Sequence, residues 1–204
     1  MKNRTDLAAE AKKLWENSPE RTTKLEGVIA RERGPVTKVE ILDSRGEKAL
    51  GKPRGCYITM ELDAETLNVR TCAEQLAEEI RGILHLKEQE TVLVVGLGNR
   101  AVTPDAVGPR TVDRLLLTRH LVQGLPDRFG DCRQVSAVVP GVLATTGIES
   151  LETVRGVVEH VQPDKVIAVD ALAAADVGRL CRTVQMSDAG IAPGSGGGKL
   201  KSGV

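Results

Sequence analysis

Three runs of apolar, largely β-branched residues constrain the fold most: TVLVVGLGN at 91–99, VSAVVPG at 135–141 and KVIAVDAL at 165–172. The first is continuously apolar through residues 92–95, as strands covered on both faces are. Segments of helical character, about 104–122 and 149–161, separate the runs. Strand and helix in alternation predict an α/β fold, a three-layer α/β/α sheet with right-handed crossovers. Its core spans about 91–188, and TVQMSD at 183–188 supplies the last strand.

The chain before that core has another texture. VIARER, VTKVEIL and CYITMEL are separated by Arg33-Gly34-Pro35, Asp43-Ser44-Arg45-Gly46 and Gly51-Lys52-Pro53, which predicts an antiparallel meander over about 27–62. A helix is expected from Thr5 to Asn17, with Thr5 or Asp6 as N-cap and Ser18-Pro19 ending it. A second helix, Thr71 to Leu86, turns Leu76, Ile80, Ile83 and Leu84 inward. Lys48, Lys52 and Arg54 read as a solvated hairpin face. Residues 190–204 read as a Gly-rich tail.

Composition removes several function classes. Lys+Arg and Asp+Glu are 28 each, so net charge gives no handle for nucleic acid or an anionic membrane. One Trp, one Tyr and one Phe make no stacking platform for single strands. The apolar run at 92–97 falls far short of the ~20 residues that cross a bilayer, and the N-terminus has no signal-like hydrophobic stretch. A cytoplasmic protein is expected. Cys56, Cys72, Cys132 and Cys181 are widely spaced and read as small buried side chains in a reducing compartment. His85, His120 and His160 fall in helical stretches, and no metal or cofactor is called for.

In open α/β sheets chemistry gathers at the carboxyl ends of strands. GLGNRAVTPD at 96–105 lacks the Gly-Lys-Ser/Thr of a P-loop and the third glycine of a dinucleotide fingerprint. It does place Asp105 shortly after a strand, either as an N-terminal helix carboxylate or as a functional group. Thr146, in Pro140–Glu149, is explained by an N-cap. Asp170 ends an apolar strand. Two carboxylates, Asp105 and Asp170, can thus project over one sheet edge. If close, they share a proton, and such a pair can activate water against an amide.

These blocks resemble the germination (spore) protease family. The matching stretches are TDLAAEA at 5–11, GLGN at 96–99, TPDAVGP at 103–109, PGVLATTGIE at 140–149, VIAVDALAA at 166–174 and VQMSDAGIAPGSG at 184–196. The resemblance implies the hydrogenase-maturation-protease type of fold and an aspartic endopeptidase with Asp105 and Asp170 catalytic. It implies a self-processing zymogen, a homotetramer, and small acid-soluble spore proteins in the spore core as substrates, cut after an acidic residue. Thr5-Asp6-Leu7-Ala8-Ala9-Glu10 is similar to the family's substrate pattern, so Asp6–Leu7 reads as the processing bond, residues 1–6 as propeptide and 7–204 as one peptidase domain. Cleavage there demands backbone that frays easily around Asp6. Family members run longer, so the chain reads as shortened at its C-terminus. A non-catalytic fragment or binding protein, and a metal-assisted protease like the hydrogenase maturation enzymes, are the alternatives; no His in a strand-end loop supports the latter.

Overall fold

The computed structural model describes residues 5–16, 25–62 and 68–191. In chain order its elements are α1 (Ala8–Glu16), β1 (Val28–Arg33), β2 (Val36–Ile41), α2 (Ser44–Leu50), β3 (Gly55–Glu61), α3 (Val69–Leu84), β4 (Val92–Gly96), α4 (Val107–Val112), α5 (Arg119–Gly124), α6 (Pro126–Phe129), β5 (Val135–Val138), α7 (Leu143–Thr146), α8 (Ser150–Val161), β6 (Lys165–Val169) and β7 (Thr183–Ser187). Residues 7–204 read from sequence as one domain, whereas the described residues cluster into two compact units. One joins those up to His85 with Leu172–Ala189, and the other joins Leu86–Ala171 with Gly190 and Ile191.

The first unit is built on an antiparallel sheet in the order β1-β2-β3-β7. The predicted meander is present, but α2 stands between β2 and β3 where the sequence showed turns. Asp43 caps it, accepting the Arg45 and Gly46 N–H groups at 2.9 and 3.2 Å. Charge-assisted hydrogen bonds from Arg45 and these amides hold the Asp43 carboxyl below its ordinary pKa. The larger correction is β7. It pairs with β3, with Glu61 opposite Thr183 and Tyr57 opposite Ser187, and not with the parallel strands. Joining a parallel sheet requires a crossover of a dozen or more residues, usually a helix. Between β6 and β7 the chain forms only a 3-10 turn, Val177–Arg179.

Ala8, Val39, Ile41, Leu50 and Tyr57 form the core of this unit. Tyr57 is the chain's one tyrosine. Its ring is buried and its hydroxyl donates to the Pro53 carbonyl at 2.8 Å. Burial raises its pKa to about 12, against about 10 in water. A phenol raised in the folded state favours folding below pH 10 and loses that contribution as pH climbs through 12. Absorbance at 295 nm reads Tyr57 alone, and a midpoint near 12 that falls to about 10 in urea is the expected result. A midpoint of 10 in both would show an open hydroxyl.

Of the predicted inner face of α3, Leu76, Ile80, Ile83 and Leu84 are half-buried, and no residue of the helix is fully buried. The four cysteines are free thiols. Contrary to the expectation of burial, Cys132 and Cys181 are exposed and the other two are intermediate.

The second unit carries a parallel sheet, β5-β4-β6, with Val94 opposite Ala137 on one side and Ile167 on the other. β4 is the central strand and is buried throughout, which its continuous apolar run predicts. β6 is an edge strand and alternates between half-buried and exposed, with Val166 38% exposed. Val154, Val157 and Val158 of α8 cover Leu93 and Val95 on one face. α4 lies on the other, close enough that a side chain on Gly96 would meet the Gly108 carbonyl.

The helix expected over 104–122 is broken into a 3-10 turn at Thr103–Asp105, then α4 and α5. Thr118 explains the break. Its N–H donates to the Val135 carbonyl at 3.0 Å, and its buried hydroxyl accepts the Val135 N–H at 2.9 Å and donates to the Arg133 carbonyl. That backbone is committed to the start of β5. At the same edge Asp164 accepts the Thr91 N–H and hydroxyl at 2.7 and 2.9 Å, tying the starts of β4 and β6. Among the described residues no helix is long and apolar enough to cross a membrane.

Candidate active site

Asp105 and Asp170 stand at the carboxyl ends of neighbouring parallel strands. Gly96, the last residue of β4, is opposite Val169, the last of β6, and the Leu97 N–H donates to the Val169 carbonyl at 2.9 Å. Asp170 follows directly; its Oδ1 accepts the Ala171 N–H at 2.8 Å. Asp105 arrives from the 3-10 turn, where the loop after β4 doubles back. The Asn99 N–H donates to Asp105 Oδ2 at 2.8 Å, and the Asn99 side-chain oxygen accepts the Ala101 N–H at 2.9 Å. Both aspartates are half-buried. The hydrogen bond on Asp105 comes from the loop after β4, so its place is fixed by that strand and not by the dipole of the six-residue α4.

Two glycines make this arrangement possible. Gly98 has φ +108°, and a Cβ there would lie 2.1 Å from the Asp105 carbonyl oxygen. Gly108 opens α4, and a Cβ on it would lie 2.2 Å from the Leu97 carbonyl oxygen and 2.5 Å from that of Val169. The helix therefore rests directly on the backbone leaving both strands.

The third strand-end loop is occupied with itself. Thr145 Oγ1 donates to the Val142 carbonyl at 3.0 Å, and Thr146 Oγ1 accepts the Ile148 N–H at 3.1 Å. The expected N-cap role of Thr146 falls to Glu149, which forms a capping box with Glu152 at the start of α8.

In the same unit Thr103, Val107, Arg110, Thr111 and Arg114 line a cleft of about 350 Å³. Its wall carries two guanidinium groups and no carboxylate, and Thr103 belongs to the same turn as Asp105. Among the described residues no group of three or more His, Cys, Asp or Glu side chains is placed to hold a metal ion.

Asp6 and Leu7 lie in the other unit, and they are tied down where the sequence led us to expect fraying. The Asp6 N–H donates to the Ala173 carbonyl at 2.9 Å, and the Ala173 N–H returns to Asp6 Oδ2 at 2.9 Å. The Asp6 carbonyl accepts Lys52 Nζ at 2.8 Å and Gln185 Nε2 at 3.1 Å. Gln185 Oε1 takes the Ala8 N–H at 2.7 Å, filling the N-cap role expected of Thr5 or Asp6. Leu7 is 2% exposed and Glu10 5%. The Glu10 carboxylate accepts the Ala175 and Asp176 N–H groups at 2.9 and 3.3 Å and faces Arg179. The Asp6–Leu7 bond nevertheless lies outside the helix, which begins at Ala8.

Lys52 therefore does not belong to a solvated hairpin face. Burial lowers its ammonium pKa, while Asp6 and Glu10 act in the opposite direction. Sequence reading missed Lys52, Gln185 and Arg179 as the holders of residues 5–10. Lys52 is 46 residues from Asp6 and Gln185 is 179, and no local pattern carries contacts of that span.

Comparison with known proteins supplies the rest. The family model described as germination protease matches residues 5–203. The germination protease of Caldanaerobacter subterraneus subsp. tengcongensis is 49% identical over 207 residues, which cover 97% of this chain and 62% of that protein. That of Clostridium perfringens (strain ATCC 13124) is 41% identical over 205 residues, 96% of this chain and 62% of the relative. That of Priestia megaterium is 43% identical over 213 residues, 97% and 57% respectively. The chain spans about three fifths of the length of the curated relatives it matches.

Proposed function

The chain belongs to the germination protease family, and on that premise we propose that it is an endopeptidase that begins the degradation of small acid-soluble spore proteins in the spore core, with Asp105 and Asp170 as its catalytic pair. The observation that carries this reading is the placement of the two aspartates at the ends of adjacent parallel strands, on backbone that glycines bring close. A three-layer sheet of the hydrogenase-maturation-protease type and a homotetramer complete the proposal.

The chemistry follows from one shared proton. The ionised carboxylate takes a proton from water as its oxygen attacks the peptide carbonyl carbon, and the protonated carboxyl gives its proton to the carbonyl oxygen. The tetrahedral intermediate then collapses. The first carboxyl protonates the leaving nitrogen as the C–N bond breaks, and the second recovers its proton from the new carboxylic acid. Both groups return to their starting states. The Arg110 and Arg114 cleft supports a preference for cutting after an acidic residue, since two cations beside the Asp105 turn attract a carboxylate.

The test is intact mass over time on a peptide of sequence Thr-Glu-Ile-Ala-Ser-Glu and on the same peptide with Lys in place of the first Glu. Cleavage after that Glu, and none in the Lys peptide, is expected. A folded chain that cuts neither peptide overturns the reading.

Self-processing at Asp6–Leu7 belongs to the same proposal, with residues 1–6 as propeptide. The bond can reach a catalytic centre only after Lys52 and Gln185 release the Asp6 carbonyl. Lys52→Ala is therefore expected to speed the loss of residues 1–6 about tenfold, because it removes one charge-assisted hydrogen bond from the docked form. A slower loss would mean that Lys52 polarises the carbonyl for attack, and that the bond is cut in place.

A further inference from the structure

Cutting the Asp6–Leu7 bond would cost the docked segment the hydrogen bonds that Asp6 makes with Ala173, Lys52 and Gln185. It would also set an α-ammonium on Leu7, a buried residue directly before α1. A charge in such a place needs a partner. The dipole of the nine-residue helix opposes a cation at its N-terminus as well.

Glu10 stands where that partner is needed, and its side chain is buried. Oε1 accepts the Asp176 N–H at 3.3 Å and faces Arg179 at 3.5 Å, and Arg179 is shared with Glu61, which it meets at 2.8 Å. Oε2 accepts the Ala175 N–H at 2.9 Å and the Thr5 hydroxyl. The Thr5 hydroxyl oxygen in turn accepts the Leu7 N–H at 3.0 Å. A single oxygen atom, Thr5 Oγ1, therefore bridges the Leu7 nitrogen and the Glu10 carboxylate, and it belongs to the residues that leave. Loss of Thr5 takes a donor from Oε2 and an acceptor from the Leu7 nitrogen in one step. Glu10 is also the third residue after Leu7, the place from which a Glu side chain reaches back to the nitrogen that opens a helix in a capping box.

We propose that the Leu7 α-ammonium, once formed, takes the place of the Thr5 hydroxyl on Glu10 Oε2 and holds α1 to the turn at Ala175 and Asp176. The inference rests on the reading of Asp6–Leu7 as the processing bond. Water gives its oxygen to the Asp6 carbonyl carbon, the C–N bond breaks, and both water protons end on the Leu7 nitrogen, leaving a carboxylate on Asp6. Lys52 is the competing cation, since its Nζ loses the Thr5 and Asp6 carbonyls, at 3.4 and 2.8 Å, in the same event. The Leu7 nitrogen has the advantage of position. Gln185 Oε1 holds the next amide, that of Ala8, at 2.7 Å and keeps the start of α1 in place.

The test compares two chains released from an N-terminal fusion, one beginning at Leu7 and one with a single Gly ahead of it. The Gly moves the ammonium one residue away from Glu10. Each chain is treated near neutral pH with an amine-reactive N-hydroxysuccinimide ester, and labelling of the α-amine is followed by the mass of the N-terminal peptide after digestion. Pairing with a carboxylate favours the protonated, unreactive amine, so the Leu7 chain is expected to label about tenfold more slowly than the Gly chain. Glu10→Gln in the Leu7 chain is expected to restore the faster rate, and the Gly chain decides the matter if that variant folds poorly. Equal rates in the two chains, a rate unmoved by Glu10→Gln in a folded protein, or a Leu7 chain that does not fold would each overturn the proposal. Self-cleavage is not needed for the measurement. A parent chain that keeps residues 1–6 overturns the processing reading, while the labelling rates still decide the ion pair.

Discussion

Asp105→Asn and Asp170→Asn are each expected to lower hydrolysis of the acidic peptide by about 10²–10⁴-fold while leaving the fold intact. The size follows from the task. On the proposed mechanism each carboxyl accepts and returns a proton once per turnover, and a carboxamide does neither at any working pH. The fold is preserved because an amide oxygen can replace the carboxylate as acceptor. Asp105 Oδ2 receives the Asn99 N–H and Asp170 Oδ1 the Ala171 N–H, and both bonds survive the exchange. If the two carboxyls share the proposed proton relay, the double variant is scarcely slower than either single one, because either loss already stops it. Loss of residues 1–6 should stop in all three variants. Parent-like cleavage in Asp170→Asn would remove that residue from the mechanism. Parent-like loss of residues 1–6 in every variant would point to a contaminating protease.

The legible and illegible parts of this chain divide by the range of the interactions that set them. β4 could be read because a central parallel strand buries both faces, and its residues are apolar without alternation. α8 could be read because its apolar residues recur at helical spacing, although its cap, a Glu149–Glu152 box, was assigned to Thr146. The positions of Asp105 and Asp170 followed from those strands, since a strand end is as legible as the strand. The partner of β7 was not legible. Five residues of mixed pattern specify a strand but not its neighbour, and that neighbour, β3, lies more than 120 residues earlier. The same holds for the docking of residues 5–10, which depends on Lys52, Ala173 and Gln185. The broken helix at 113–118 was hidden for a related reason: VDRLLLTRH has helical spacing, and only the distant Val135 shows why Thr118 leaves the helix. α2 is the exception, a local element missed because Asp43-Ser44-Arg45-Gly46 satisfies a turn pattern as well as an N-cap.

Gly108→Ala should be among the most damaging single-methyl changes in the parallel-sheet unit, costing about 3 kcal/mol. The added Cβ would sit 2.2 Å from the Leu97 carbonyl oxygen, 2.5 Å from that of Val169 and 2.6 Å from the Leu97 nitrogen. These are backbone atoms of two hydrogen-bonded strand ends, so no side-chain rotation relieves the contact. Either α4 lifts from the sheet or β4 and β6 separate at the edge where Asp105 and Asp170 stand. Activity is therefore expected to fall further than the folded fraction does, because the turn carrying Asp105 leads directly into α4. Gly98→Ala adds a different cost. Its φ of +108° is strained for any residue with a Cβ, and that atom would lie 2.1 Å from the Asp105 carbonyl oxygen. Gly82→Ala, inside α3 with nothing within 4 Å of the added atom, is the control, and it should stabilise by about 0.5–1 kcal/mol through helix propensity. Urea unfolding followed by circular dichroism, alongside peptide cleavage at a temperature where each variant is folded, separates the effects. A Gly108→Ala protein as stable as the Gly82→Ala control would mean that α4 does not rest on the strand ends, and the placement of Asp105 at the end of β4 would lose its physical basis.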